Sequence, residues 1–266
     1  MKTFKYYIFK IILFLKRFSF ILQLNFKYLK SSFNWLIKSK EHTSFSLYLS
    51  ENNEKMLTTQ LSYDLNIEYH EIENIINQSK QTNFSLHSKV RNLKMSDVDF
   101  KSKFDYRLIC LIIVLKKNIL NVVELGFNQG RIPFLLEKFK STHVFNFNYI
   151  GIDYNNRKGA LVNKNNEDIN LIFGKVEDHL QNLNAVLEKE SLLISTTHTL
   201  ESEKYIFNYL NNESIFPDYI ISDNVDEKSS FANFINSSER YKLFIYCFED
   251  ASGFLDNLYV GLAVKR

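Results

Sequence analysis

Between residues 104 and 266, short apolar runs of strand length alternate with segments whose apolar positions recur at helical spacing. That alternation predicts a largely parallel sheet with helices packed on it. FDYRLICLIIVLKK, residues 104 to 117, reads as an apolar helix ending in two lysines, which suit a helix C-terminus. It leads into a first strand, NVVEL, and then a helix, RIPFLLEKFK. FNYIGIDYN is a second strand ending in Asp153, INLIF a third, SLLIS a fourth, and FPDYIISDNV a fifth that runs to Asp223 and Asn224. DEKSSFANFINSSER predicts a helix. YKLFIYCFED and LYVGLAVKR follow as strands six and seven, too close together for a parallel crossover and therefore an antiparallel hairpin.

Upstream the pattern changes. Residues 41 to 60 are polar and read as a linker or loop, while LSYDLNIEYHEIENIINQ, residues 61 to 78, has the spacing of a small helical cap. His70 lies on its polar side and reads as a surface residue. Residues 4 to 37 interleave Phe, Tyr, Leu and Ile with lysines, and Lys10 and the pair Lys16 and Arg17 keep any uncharged run short of a membrane span. Lys10 also breaks the apolar region of a signal peptide, and no small-x-small cleavage site follows. A basic helix lying in a membrane interface beside anionic lipid fits this composition. A terminal helix packed on its own domain or on a partner is the alternative.

The chemistry concentrates in Asn121 to Arg131, NVVELGFNQGR. A buried strand closed by glycine and followed by a helix is a nucleotide cradle, because glycine permits close backbone approach and the helix start offers N–H groups. Counting from Gly126, the dinucleotide pattern G-x-G-x-x-G would need glycine where Asn128 and Arg131 stand. The order acid-x-Gly-x-Gly-x-Gly, carried here by Glu124, Gly126 and Gly130 with Asn128 at the middle glycine, resembles motif I of the class I S-adenosylmethionine-dependent methyltransferases. Asn accepts positive φ better than most residues, so the turn can form with it.

The resemblance covers residues 104 to 266. It implies a three-layer Rossmann-like α/β fold, with a seven-stranded sheet ending in the antiparallel hairpin and an N-terminal helical extension. The expected domains are a membrane-surface helix over 1–40, a linker and helical cap over 41–103, and the methyltransferase-like domain over 104–266. S-adenosyl-L-methionine is the implied cofactor, and the implied binding residues are Glu124, Gly126, Asn128, Gly130, Asp153, Val176 and Ser195. Asp153 lies 23 residues beyond Gly130, about where Rossmann-type folds place a carboxylate on the ribose diol. After the third strand many family members carry glycine then an acid for the adenine end. This chain has Gly174 then Lys175, with Glu177 and Asp178 as substitutes.

Methyl transfer from a sulfonium demands mainly alignment and exclusion of water. A hydroxyl acceptor also needs a base. His198, in a Ser-x-x-His stretch with Ser195 after the fourth strand, is the first candidate, and Asp223 past the fifth strand is the second. The expected activity is O-methylation of a sugar or of a lipid-linked glycan intermediate. A methyltransferase-fold scaffold without activity and a nicotinamide-dependent oxidoreductase are the competing readings.

Charge sharpens the division of the chain. Residues 1 to 40 hold nine basic residues and no acid, leaving 24 basic against 30 acidic residues in the rest, a net of −6. An acidic folded part argues against a nucleic-acid partner, and a small-molecule or glycan substrate is expected with the methyltransferase resemblance. The basic segment places the chain in the cytoplasm, peripheral on the inner face of a membrane, with the anionic surface as its partner. Cys110 and Cys247 lack metal-type spacing and read as core residues in a reducing compartment, and no metal is expected. Oligomeric state is open.

Overall fold

A computed structural model describes residues 43–47, 54–79, 106–128, 130–154, 166–196, 200–223, 229–249 and 257–266. The basic segment 1–40 and the candidate base His198 lie outside these residues. Among the described residues eight strands form one sheet: β1 (Thr43–Leu47), β2 (Asn121–Leu125), β3 (Asn148–Asp153), β4 (Ile169–Phe173), β5 (Ser191–Ser195), β6 (Tyr219–Asp223), β7 (Tyr241–Glu249) and β8 (Asn257–Lys265). Their order is β1-β7-β8-β6-β5-β2-β3-β4. Pairing is parallel between β1 and β7 and throughout β6-β5-β2-β3-β4, and β8 runs antiparallel to both β6 and β7. The seven expected strands and the terminal hairpin are all present.

The helices are α1 (Glu54–Leu65), α2 (69–79), α3 (Tyr106–Lys116), α4 (Arg131–Lys140), α5 (Val176–His179), α6 (Asn184–Leu187), α7 (Leu200–Asn212) and α8 (Ser229–Ser238). One apolar layer joins α1 to α4 to one face of the sheet through Leu61, Ile72, Ile109, Val122, Leu136, Tyr149 and Ile194. A second joins α5 to α8 to the other face through Val123, Leu125, Leu180, Leu193, Phe207 and Phe231. β2 and β5 are buried on both faces, which explains their continuous rather than alternating apolar sequences.

One expectation for the N-terminal part is corrected. The polar stretch 41–60 is not only a linker: Thr43–Leu47 adds an eighth strand at the sheet edge beside β7, and α1 begins at Glu54. The stretch 61–78 forms the expected helical cap, as the end of α1 followed by α2. It breaks at Asn66, whose φ of 50° is left-handed. There the Ile67 N–H donates back to the Ser62 carbonyl at 3.0 Å and Ser62 Oγ donates to the Ile67 carbonyl at 2.6 Å. A helical period continuing across residue 66 concealed a C-terminal cap.

The same two helices explain why α3 is apolar on every side. Leu108 to Val114 are all buried, because the sheet covers one side of α3 and α1 and α2 cover another. Lys116 Nζ donates to Glu71 Oε1 at 2.6 Å, and Tyr246 of β7 donates to Asp64 Oδ2 at 2.8 Å. The cap and the sheet therefore share one core. Leu61→Ala, at a fully buried position of α1, is expected to cost about 2–5 kcal/mol. Urea unfolding followed by far-UV and by aromatic signals should give coincident, lowered midpoints for this variant. Separate transitions would mean that the cap unfolds on its own.

Candidate active site

The sheet order reverses at β2, where β3 lies on one side and β5 on the other, so a crevice opens at the carboxyl ends of these strands. The turn after β2 lines it. Gly126 has φ 97°, Asn128 φ 50° and Gly130 φ 76°, so all three positions of the glycine motif are left-handed. Asn128 thus takes the conformation that glycine would, with its side chain exposed. A Cβ on Gly126 would lie 2.9 Å from the Thr196 carbonyl oxygen. Gly130 caps the N-terminus of α4, its N–H donating to the Phe127 carbonyl at 2.9 Å and its carbonyl accepting from the Phe134 N–H at 3.2 Å.

Neighbouring strand ends hold this turn from both sides. The Gly126 N–H donates to the Ile152 carbonyl at 2.8 Å, and the Asn128 N–H donates to Asp153 Oδ2 at 3.0 Å. Asp153 is buried. The carboxylate expected at a ribose diol therefore also fixes the loop that would cradle the ligand. From β5, the Thr196 N–H donates to the Leu125 carbonyl at 3.0 Å, and its Oγ1 donates to the Gly126 carbonyl at 2.9 Å. Thr196 was not legible as a site residue, since only the strand pairing brings it to the turn.

Beneath the turn lies Glu124, buried, accepting a hydrogen bond from the Tyr149 hydroxyl. Burial pushes its carboxyl up to about 8. The Tyr149 hydrogen bond and the Arg107 guanidinium on α3 act against that rise, while the Asp153 and Asp223 carboxylates add to it. Strand alternation accounts for the meeting, because Glu124 shares a face with Val122, Asp153 with Tyr149, and Asp223 with Ile221, all toward α3 and α4. The crevice floor is thus acidic.

The remaining expected residues divide. Ser195 is buried at the end of β5, but alternation assigns it to Leu193's face, opposite Glu124. Val176, the first residue of α5, packs its side chain into that same second layer. Lys175 is exposed just before it, and Glu177 accepts from Ser202 Oγ at 2.9 Å, so Glu177 is engaged with α7 and Asp178 is the exposed acid. A Cβ on Gly174 would lie 2.6 Å from His179 Nε2, a side-chain end that can turn aside. At the crevice mouth, Tyr154 and Phe173 are exposed, and Phe173 meets Phe127 edge-on with centroids 5.8 Å apart. Among the described residues no cluster of three His, Cys, Asp or Glu is placed to hold a metal ion.

No family model matches this chain, and no curated protein does. Solved structures do, 140 chains in all. The methyltransferase domain of bacterial CtHen1 is 16% identical, with 59% of this chain and 97% of that one covered and a TM-score of 0.42. The S-adenosylhomocysteine-bound methyltransferase PaMTH1 of Podospora anserina is 11% identical over 69% of this chain and 88% of that one, with a TM-score of 0.49. Fibrillarin of Aeropyrum pernix, with natively bound S-adenosyl-L-methionine, is 12% identical over 58% and 72%, with a TM-score of 0.38. The fold assignment stands on the strand order itself.

Glu124 gives the free protein a definite pH dependence. Its folded-state value lies above the unfolded one, so the native state holds a proton that the unfolded state releases, and stability falls as pH rises from about 4.5 to about 8. Each pH unit in that window costs about 1.4 kcal/mol. Glu124→Gln removes this contribution. The stability difference between variant and wild type, from urea unfolding at pH 5 and pH 8, should shift in the variant's favour by several kcal/mol. An unchanged difference would mean that Glu124 is ionised throughout.

Proposed function

We propose that this chain is an S-adenosylmethionine-dependent methyltransferase. The observation that carries the reading is the buried Glu124 beneath a left-handed glycine turn, with Asp153 and Asp223 on the same face. A cationic cofactor with an ammonium and a sulfonium can draw Glu124 into its ionised form and faces Asp153 and Asp223 as well, whereas the pyrophosphate of a nicotinamide dinucleotide would meet those acids and hold Glu124 protonated. Glu124 is assigned to the ammonium, Asp153 to the ribose, and the exposed Phe173 and Tyr154 to the purine, where Lys175 supplies no acid. The cofactor supplies an electrophilic methyl. The chain's part is to align the acceptor, exclude water, and take the acceptor's proton on His198 or, failing that, on Asp223.

The acceptor we infer is a hydroxyl of a sugar or of a lipid-linked glycan intermediate, met at the inner face of a membrane through residues 1–40. The support is compositional: nine basic residues without an acid share that segment with dense aromatic and aliphatic side chains. Among the described residues no helix is long and apolar enough to cross a membrane. A scaffold that has lost the cofactor is the second reading, favoured by Lys175 and by the engagement of Glu177 with Ser202.

Calorimetric titration with S-adenosylhomocysteine separates the two readings. The wild-type chain is expected to bind, and Asp153→Ala to bind about 1–3 kcal/mol more weakly through loss of ribose contacts and of the Asn128 tether. No binding at millimolar ligand leaves the scaffold. For the membrane, the full chain should sediment with anionic vesicles, less with neutral ones, and be partly released by high salt, each lysine at the surface contributing about 1 kcal/mol. A chain beginning at residue 41 should stay in the supernatant and remain folded. Equal behaviour of the two chains, or unfolding of the shorter one, would make residues 1–40 a packing element instead.

A further inference from the structure

Register places Gly151 of β3 directly opposite Glu124 of β2, and Tyr149 two residues earlier on the same face. A Cβ on Gly151 would lie 2.9 Å from Tyr149 Cε1, 3.0 Å from its hydroxyl oxygen and 2.8 Å from Phe127 Cδ1. The missing side chain is thus the space through which the Tyr149 ring reaches along the sheet to Glu124. The hydroxyl ends on Glu124 Oε2, and both residues are almost wholly buried, at 1% and 2% exposure. Among the described residues the titratable groups that act on the pair are Arg107, Tyr106 and Cys110 on α3, Asp153 on β3 and Asp223 on β6. Among them Arg107 is the one cation, and it approaches from the helix side.

We propose that Tyr149, with Gly151 making room for it, is a positioning residue that holds Glu124 to receive the ammonium of the cofactor, and that cofactor binding releases a proton from this pair. The proposal rests on the cofactor reading above. The proton balance is simple. Glu124 carries the proton in the free protein, loses it to solvent as the ammonium arrives, and faces that cation as a carboxylate. Tyr149 keeps its own proton throughout, since burial and the adjoining Glu124 push the phenol well above its usual range. It therefore donates to the carboxylate in the bound state, a charge-assisted bond that favours the ionised acid.

The test is calorimetry on the full chain between pH 6 and 8, in buffers of different ionisation enthalpy, which counts protons released on binding. Two ligands are compared: S-adenosylhomocysteine, and 5′-methylthioadenosine, which lacks the amino-acid end. The first should bind with proton release and gain affinity toward pH 8, approaching tenfold per pH unit. The second should show neither effect. Tyr149→Phe should weaken S-adenosylhomocysteine about tenfold or more at pH 7 and move the levelling-off of its affinity to higher pH, with 5′-methylthioadenosine unchanged. Gly151→Ala, which displaces the ring but keeps the hydroxyl, should repeat both effects. Wild-type affinity that is flat with pH, or a Tyr149→Phe profile that superimposes on wild type, overturns the proposal while leaving the cofactor reading intact if either ligand binds. Failure of both ligands to bind overturns the cofactor reading and this proposal with it.

Discussion

Placing a carboxyl group inside the central strand of a sheet buried on both faces is costly, and the surroundings of Glu124 are arranged by that cost. Ionised and dry, it would be among the most destabilising groups in the molecule; protonated and hydrogen-bonded to Tyr149 it is tolerated. Everything nearest to it can be read as accommodation. Gly151 vacates the facing position for the tyrosine ring, α3 carries the positive charge of Arg107 near enough to favour the ionised acid, and Asp153 gives one oxygen to the Asn128 N–H. Valine, as at Val122 and Val123 on the same strand, would fit this position without that cost. The buried acid is the strongest physical sign of a ligand at this turn.

The two apolar layers make that cost bearable. Glu124 lies in a domain whose sheet is covered on both faces, and whose α3 is itself covered by α1 and α2. The cap therefore belongs to the support of the site. It packs on α3, and α3 carries Arg107 and Tyr106 to the Glu124–Tyr149 pair. The turn is held by backbone bonds from β3 and β5 on either side of it, with Thr196 and Asp153 as the side-chain clasps. The described residues of the turn are thus tied to both neighbouring strands without a ligand.

Local chemistry wrote part of this architecture directly into the chain. Strands two to eight, the helix before the glycine turn and the closing hairpin follow from runs of apolar residues and the spacing between them, because burial and hydrogen bonding act over a few residues at a time. Glu124, Gly126, Asn128 and Gly130 could be singled out because their order resembles a known methyltransferase motif, and Asp153 because it ends a strand at the distance where Rossmann-type folds place a carboxylate. Even Tyr149, Gly151 and Asp153 carry a faint signal, lying two apart on one strand and hence on one face.

What the chain alone left undetermined depends on pairing between distant segments. Thr43–Leu47 is too polar to read as a strand, and its partner β7 lies some two hundred residues later, so only the open sheet edge decides it. Asn66 ends a helix that periodicity would continue, because one left-handed residue changes direction without changing the apolar spacing. Thr196, Arg107 and Tyr149 join the site through strand register and helix packing, and Ser195 is turned to the other face by the same alternation that brings Glu124 to this one. The sequence by itself determined the order of the elements and the turn that could cradle a ligand, since those are short-range consequences of side-chain size and backbone freedom. Tertiary structure alone decided which groups surround the buried acid, because its ionisation depends on charges and solvent exclusion contributed by α3, β3 and β6 together.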